Sequence, residues 1–414
     1  GHIQEVGDLA LTGLGVAFPV LMFISALSAL AGMGGGSRAA IRMGAGDEEG
    51  ANAILGGCTA LLVLVSIVVT VVFQLLREPM LYAFGASGNT IGYASGYLKI
   101  YLWGTIAVQL SLGLNNFITT QGFSTTSMLT VVIGAVCNIV LDLVLTITVP
   151  MGVAGVALAT IIAQIVSWLF GVFYINRHYD FIKIRPHKFY FQKELFFQAM
   201  RLGIPSGIQQ ALFSIGIMFM QSLVNSYGSS FMAGFNGANK IDTFAFLPVQ
   251  SLSNALTTYT GQNIGAGNQH RVKEGLKASL IMSIGCCIVV GILLYPTSAF
   301  MMRMFSQNAE VIDAGVAYLH GVLPFYFLLA ITFMYNSVLR GAGDMVIPMI
   351  SSFVSLWLAR LPAAYLIAHF FEKEDIYYSY AVGWALGVLI SGIYYMTGKW
   401  KNKSIVERMK KQEA

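Results

Sequence analysis

The sequence predicts an all-α membrane protein built from two parallel repeats of six helices each. Of its 414 residues, 56% are hydrophobic and only 10% are charged. A soluble domain carries about 25% charged residues, so most of this chain's surface must face lipid rather than water. Long, largely uncharged stretches recur along the chain, and distant motifs share one spacing. The first pattern predicts membrane-spanning helices, and the second indicates an internal duplication.

Eleven stretches are long enough to span a bilayer as helices, which needs about 20 residues each. We expect these spans at 9–33, 54–76, 100–119, 128–149, 152–175, 202–224, 231–260, 278–300, 315–339, 346–369 and 376–397. Several contain proline, which membrane helices tolerate where a break faces a cavity or a neighbouring helix.

The duplication rests on matched pairs of motifs that lie 221 residues apart. The pairs are Met43–Asp47 with Ile264–Asn268, Tyr97–Leu98 with Tyr318–Leu319, Asn115 with Asn336, and Gln121–Gly122 with Ala342–Gly343. The second half has a span at 202–224 before its Phe-Leu-Pro helix, and the first half has none before Ala-Phe-Pro. We therefore expect that a first helix is missing and that the complete protein has twelve spans. Six spans per half is an even number, so the repeats are parallel.

The charge distribution predicts the domains and the orientation. We expect a first lobe at 1–175, a linker at 176–199, a second lobe at 200–398 and a basic tail at 399–414. Eighteen of the 24 Lys and Arg residues fall on the side of the carboxyl terminus, which makes that side cytoplasmic. The basic residues set this topology, so they do not indicate nucleic-acid binding. The cysteines lie in apolar runs without metal-ligand spacing, so neither a metal nor another cofactor is predicted.

Asp142 is the only charged residue between positions 100 and 176. A central Asp costs a membrane helix about 2.5–3.5 kcal/mol, and acids kept at that cost usually mark transport routes. Asn138 lies four residues earlier and shares its helix face. The carboxyl could exchange a proton, or Asn138, Asp142 and the hydroxyl of Thr160 on the next helix could bind Na⁺ through oxygen atoms. Spacing leaves both options open, together with a packing role for the acid.

Three further charges, Lys240, Asp242 and Arg360, fall inside spans of the second half. Lys240 and Asp242 are two residues apart, so they do not face each other along one helix. We expect Asp242 to meet Arg360 as a structural ion pair. A second coupling or gating site is the alternative.

The stretch that follows the Gly203-Ile204-Pro205 break contains four candidates for substrate contact. They are Gln209, Gln210, Phe213 and Met218. Methionine and aromatic side chains suit flat, cationic ligands. The sequence Gly341-Ala342-Gly343-Asp344 has the letters of an intramembrane aspartyl protease motif. Glycines that form turns explain it as well, since Gly44–Asp47 repeats the pattern.

Together, several motifs resemble the multidrug and toxic compound extrusion (MATE) family of the MOP superfamily, in its DinF-like or MepA-like branch. They are Gly15–Pro19, Met43–Asp47, Asn138–Asp142, Gly203–Pro205, Phe246–Pro248, Gly261–Gly267 and Leu339–Asp344. The resemblance implies two six-helix lobes around a V-shaped cavity, alternating access, and a first-lobe cation site. The positions of that site look like Asn138, Asp142 and Thr160. The family's further Asp on the first helix has no counterpart here.

The resulting hypothesis is a cation-coupled efflux antiporter of the inner or plasma membrane that exports cationic amphipathic drugs against inward H⁺ or Na⁺. We expect a monomer whose partners are small-molecule drugs and the lipid bilayer. A lipid-linked oligosaccharide flippase of the same superfamily is the alternative, and an intramembrane enzyme is a third. Neither the substrate nor the coupling ion follows from the sequence.

Overall fold

The computed structural model of this chain describes residues 7–178 and 193–403, and every regular element in these ranges is helical. The first half contains α1 (Gly7–Gly44), α2 (Glu48–Leu75), α3 (Arg77–Ala83), α4 (Ile91–Trp103), α5 (Thr105–Thr120), α6 (Ser124–Leu143) and α7 (Val153–His178). The second contains α8 (Lys193–Asn225), α9 (Ser229–Gly265), α10 (Gln269–Arg303), α11 (Ala309–Val322), α12 (Tyr326–Gly341), α13 (Val346–Phe353), α14 (Leu361–Phe370) and α15 (Ser379–Met396). Short π-helical segments lie at Val144–Thr148 and Val354–Arg360, and 3₁₀ turns lie at Leu323–Phe325, Lys373–Tyr378 and Lys399–Lys403.

Nine helical segments within these ranges are long and apolar enough to cross a membrane. The predicted fold class, an all-α membrane protein, is confirmed; the count of eleven spans stays a prediction. Two of the expected spans are not among the nine. The stretch at 100–119 is divided at Gly104 between α4 and α5, so neither piece is long enough. Helix α9 is long enough but carries Lys240, Asp242 and several amides, which lower its hydropathy.

The duplication seen in the sequence is also a duplication of backbone conformation. Helices α1 and α9 end 221 residues apart, at Gly44 and Gly265. Two residues later Gly46 and Gly267 adopt left-handed φ angles of 76° and 75°. After α5 and α12, Gly122 and Gly343 do the same, at 91° and 82°. Only glycine adopts this conformation without strain, so the matched glycines are required by the same helix-ending turns in both halves.

The chain divides into two compact units, Gly1–Met43 with Asp47–Gly207 and Gly44–Gly46 with Ile208–Ala414. Each has its own hydrophobic core. In the first unit the core includes Leu98 and Phe117, and in the second it includes Tyr318 and Trp400. The predicted lobe limits stay predictions. Residues 179–192 of the predicted linker and residues 404–414 of the predicted tail lie outside the described residues.

Close helix approach in the second unit gives a stability prediction. A methyl group on Gly234 of α9 would lie 2.6 Å from the Val311 carbonyl oxygen and 2.8 Å from the Gly315 nitrogen, both backbone atoms of α11. Backbone cannot yield as a flexible side chain can, so we expect Gly234→Ala to cost about 2 kcal/mol of stability. Thermal unfolding of the detergent-solubilised protein measures this. Gly291→Ala, on α10, is the matched control.

Nothing lies within 4 Å of the methyl group that Gly291→Ala would add. Because alanine favours a helix over glycine by about 1 kcal/mol, this control should unfold at the same temperature as the parent or higher. Equal destabilisation by both variants would contradict the assigned α9–α11 contact.

Candidate cation site of the first lobe

Helix α6 has one face that is exposed and apolar and another that packs on α7. The large exposed side chains of the helix and the π-helical segment that follows are Met128, Leu129, Val131, Val132, Val136, Ile139, Val140, Leu143, Val144 and Ile147. Asn138 and Asp142 lie on the other face and are partly buried. Asp142 therefore faces the interior of its lobe and not the side of α6 that meets lipid.

Asn138 and Thr160 meet across the α6–α7 contact. The Asn138 Nδ2 atom lies 3.5 Å from the Thr160 Oγ1, at the limit of a hydrogen bond. The Thr160 hydroxyl donates to the Val156 carbonyl at 2.9 Å, so its oxygen acts as an acceptor toward the other groups of the site. Asp142 Oδ1 is buried and has no hydrogen-bond partner among the described residues. Two neutral oxygen-bearing side chains and one uncompensated carboxylate thus share one side of the α6–α7 pair.

Tyr97 of α4 is a further member of this site that sequence reasoning missed. It is 5% exposed, its hydroxyl interacts with the side chain of Thr160, and it is close enough to Asp142 to respond to its charge. The signal was present in the repeat, because Tyr97 matches Tyr318 of the second half. There the Tyr318 hydroxyl donates to Asp242 Oδ2 at 3.1 Å. Matched tyrosines therefore stand beside an acid in both lobes.

In each lobe a π-helical segment lies beside or includes a charged residue, Asp142 in the first lobe and Arg360 in the second. In the first lobe Val144–Thr148 follows Asp142, whose carbonyl accepts a hydrogen bond from the Thr146 hydroxyl. In the second lobe Val354–Arg360 ends on the arginine itself. Such segments widen the helix locally and are frequent at functional sites.

Asp242 and Arg360 lie in one cluster but do not form a direct ion pair. Two tyrosines connect them. The Arg360 guanidinium carbon lies 3.2 Å from the ring centroid of Tyr380, and the Tyr380 ring packs edge-on against Tyr318, with centroids 5.7 Å apart. Arg360 Nε is buried without a hydrogen-bond partner among the described residues. Its charge is therefore stabilised by an aromatic face and by the nearby carboxylate rather than by a salt bridge.

Lys240, which lies in the same expected span as Asp242, does not belong to this cluster. Its side chain is exposed, whereas Asp242 is partly buried. Successive helical residues are rotated by about 100°, so two positions that differ by two lie on opposite sides of α9. When the carboxylate faces inward, the ammonium group must face outward.

The four predicted substrate-contact residues do not share one environment. The Gln209 amide donates to Ser352 Oγ at 2.6 Å and lies 3.3 Å from the Pro348 carbonyl oxygen, so it holds α8 to α13. Gln210, Phe213 and Met218 are exposed. Their part in substrate binding stays a prediction.

Comparison with known proteins identifies the family. The MatE family model matches residues 2–144 and 205–366. The chain belongs to the MatE family. The resemblance to MATE transporters is thereby confirmed. A MatE protein is a multi-pass membrane transporter and not an enzyme, so the Gly341–Asp344 motif is not a protease site.

Curated relatives cover most of this MatE chain. It is 25% identical over 417 residues to "Probable multidrug resistance protein NorM" of Thermotoga maritima, covering 98% of this chain and 88% of that protein. It is 27% identical over 332 residues to "Probable multidrug resistance protein YpnP" of Bacillus subtilis (79% and 73%). It is 24% identical over 340 residues to "Multidrug export protein MepA" of Staphylococcus aureus (81% and 74%).

Solved structures share the fold. The outward-facing conformation of a multidrug resistance MATE family transporter of the MOP superfamily matches with a TM-score of 0.88 and 23% identity, covering 95% of this chain and 89% of that one. A MOP superfamily transporter from Pyrococcus furiosus matches with the same score and identity, covering 97% and 91%.

Proposed function

We propose that this MatE protein exports cationic amphipathic drugs in exchange for an inward-moving cation, H⁺ or Na⁺, by alternating access. The names of its relatives support drug export, since NorM, YpnP and MepA are all described as multidrug proteins. The single observation that carries the coupling proposal is Asp142, whose buried carboxylate oxygen has no hydrogen-bond partner among the described residues.

The chemistry of the site supports both coupling ions. A carboxylate without a basic partner in a poorly solvated lobe favours the protonated form, so it takes up H⁺ readily. The same carboxylate with the side-chain oxygens of Asn138 and Thr160 supplies the oxygen ligands that hard cations prefer. Either ion neutralises the charge of Asp142. A cation moving inward supplies about 2.3 kcal/mol per charge per 100 mV.

Coupling requires the cation and the drug to act on the same conformational equilibrium. A ligand shifts an equilibrium only as far as its affinity differs between the two states. Loading of Asp142 changes the charge on α6 next to the π-helical segment Val144–Thr148. We propose that this change biases the first lobe between its two forms, and that the drug binds one form better.

Transport in proteoliposomes tests the proposal. The full chain is reconstituted, and drug uptake or release is followed under a pH gradient, an Na⁺ gradient and neither. We expect drug movement under one of the imposed gradients to be at least tenfold faster than in the control without a gradient. Drug movement that is equally fast without either gradient would contradict cation coupling. Absence of drug movement under all conditions would contradict drug export.

Export of a lipid-linked oligosaccharide, the runner-up, needs a strongly cationic binding surface for the diphosphate. Of the two candidate cations, Arg360 is buried and covered by the Tyr380 ring. Lys240, the other of the two, is exposed and supplies one positive charge. This favours a cationic drug over an anionic lipid-linked substrate. Cytoplasmic placement of the carboxyl terminus and the monomeric state belong to the same proposal.

A further inference from the structure

A small, partly open cavity lies between α5, α6 and α7 of the first lobe, outside the cation site. Its volume is about 10 Å³. Six of its lining residues bear on its chemistry: Ser111, Asn115, Thr130, Ser167, Trp168 and Gly171. The other four are aliphatic. The lining therefore combines hydroxyl, amide and indole groups and holds no charge.

The hydroxyl and amide groups already form a network across the three helices. The Thr130 hydroxyl lies 3.0 Å from Asn115 Oδ1, which joins α6 to α5. The Ser167 hydroxyl donates to the Thr130 carbonyl at 2.8 Å, which joins α7 to α6. Ser111 Oγ and Ser167 Oγ are farther apart, at 3.4 Å. These oxygens keep lone pairs that can accept a further hydrogen bond.

Trp168 is the member whose hydrogen-bonding need is not met by the described protein atoms. Its indole nitrogen Nε1 is buried and has no hydrogen-bond partner there. A buried N–H that donates to nothing costs about 1–3 kcal/mol, and most buried polar groups in proteins are paired with protein or with ordered water.

The second lobe provides an internal comparison. Asn336 and Ser351 stand 221 residues after Asn115 and Thr130. There Ser391 Oγ lies 2.8 Å from both the Asn336 Oδ1 and the Ser351 Oγ. The corresponding network is thus closed by direct short contacts. The first lobe has the cavity and an unsatisfied indole N–H in the same place.

We propose that this cavity is a binding site for one water molecule, which accepts a hydrogen bond from Trp168 Nε1–H and donates to hydroxyl oxygens of the network. A volume of about 10–15 Å³ is what one water needs, and such a water requires two to four polar partners. The neutral lining excludes a metal cation or an anion, since neither would find a compensating charge. The size excludes a drug. The water links α5, α6 and α7, the last two of which carry Asn138, Asp142 and Thr160.

Magnetisation transfer from water to indole protons tests this proposal. The full chain, with its five tryptophans labelled with ¹⁵N at the indole nitrogen, is reconstituted in lipid bilayers for proton-detected solid-state NMR. Trp168→Phe assigns the signal. We expect water-selective excitation to reach the Trp168 indole proton. Trp357 is the internal control, because its Nε1 donates to the Leu212 carbonyl at 3.1 Å; its signal should be at least fivefold weaker.

Gly171→Ala is the variant that separates a bound water from general hydration. The added methyl group would meet Ile118 Cδ1 and Thr130 Cγ2 at 3.4 Å, an ordinary contact distance, and would take up space in the cavity. We expect the Trp168 transfer to fall at least fivefold while the Trp357 signal is unchanged. Ser111→Ala, which removes one hydroxyl partner, should lower the transfer at least twofold and serves if Gly171→Ala does not fold. No transfer to Trp168 in the parent, or transfer that persists in the variants, would overturn the proposal.

Discussion

Asp142→Asn is expected to abolish cation-driven drug export, lowering the initial rate at least tenfold, while the protein still folds and reaches the membrane. Asparagine has nearly the same shape as aspartate, but its amide does not take up a proton near neutral pH. It also lacks the negative charge that attracts Na⁺. The buried Oδ1 makes no hydrogen bond with described residues, so the substitution breaks no such contact. The substitution also removes a buried charge. Because burying a charge costs free energy, its removal should not destabilise the fold.

Two measurements check this expectation. Resistance of an efflux-deficient host to cationic dyes reports export in the cell, and proteoliposomes under the gradient that drives the parent report exchange directly. The matched control is Asp313→Asn, because Asp313 is an exposed acid on α11; this variant should behave as the parent does. Drug extrusion by Asp142→Asn at the parental rate would refute the role of Asp142, although the fold assignment would survive it.

The fold and part of this site follow from local sequence rules. Spacing of four residues places Asn138 and Asp142 on one helix face, because helical periodicity is a property of the chain itself. Nine of the eleven expected spans coincide with helices in the described ranges that are long and apolar enough to cross a membrane. The stretch at 100–119 is divided, because α4 ends and α5 begins around Gly104. A methyl group on Gly104 would overlap the Ile161 side chain. Glycine is therefore required by a close contact with α7, which no local sequence pattern reveals.

Other parts of the site depend on tertiary contacts. Tyr97 lies 45 residues before Asp142 and, within an apolar stretch, looks like an ordinary packing residue. Only its match with Tyr318 distinguished it. The π-helical segments likewise depend on how neighbouring helices pack, since their composition does not differ from that of an α-helix. Lys240 lies in the same apolar stretch as Asp242, and only the packing of α9 shows which of the two side chains is exposed.

Arg360→Met is expected to destabilise the second lobe by about 3 kcal/mol, because it removes the nearby positive charge that offsets the carboxylate of Asp242. Methionine fills much of the same volume, so the loss is mainly electrostatic. With the guanidinium removed, Asp242 keeps the Tyr318 hydrogen bond but loses the nearby positive charge of Arg360. The contact of Arg360 with the Tyr380 face is lost as well.

The double variant Asp242→Asn/Arg360→Met tests whether the two charges stabilise each other. If they do, removing both should recover stability to within about 1 kcal/mol of the parent, because no uncompensated buried charge remains. Thermal unfolding in detergent measures both variants. Lys240→Met is the matched control, and because that side chain is exposed, we expect no measurable change. A double variant as unstable as Arg360→Met would contradict the pairing.

The same double variant separates a structural cluster from a second coupling site. A neutral cluster that is stable and still exports drugs at the parental rate would show that Asp242 and Arg360 serve only the packing of α9, α11 and α15. A stable double variant that no longer exports would assign the pair a role in transport. Because stability is restored in both cases, the rate of export alone decides between them. If export is retained, Asp142 acts without the second-lobe pair; if export is lost, Asp142 and the pair both take part in transport.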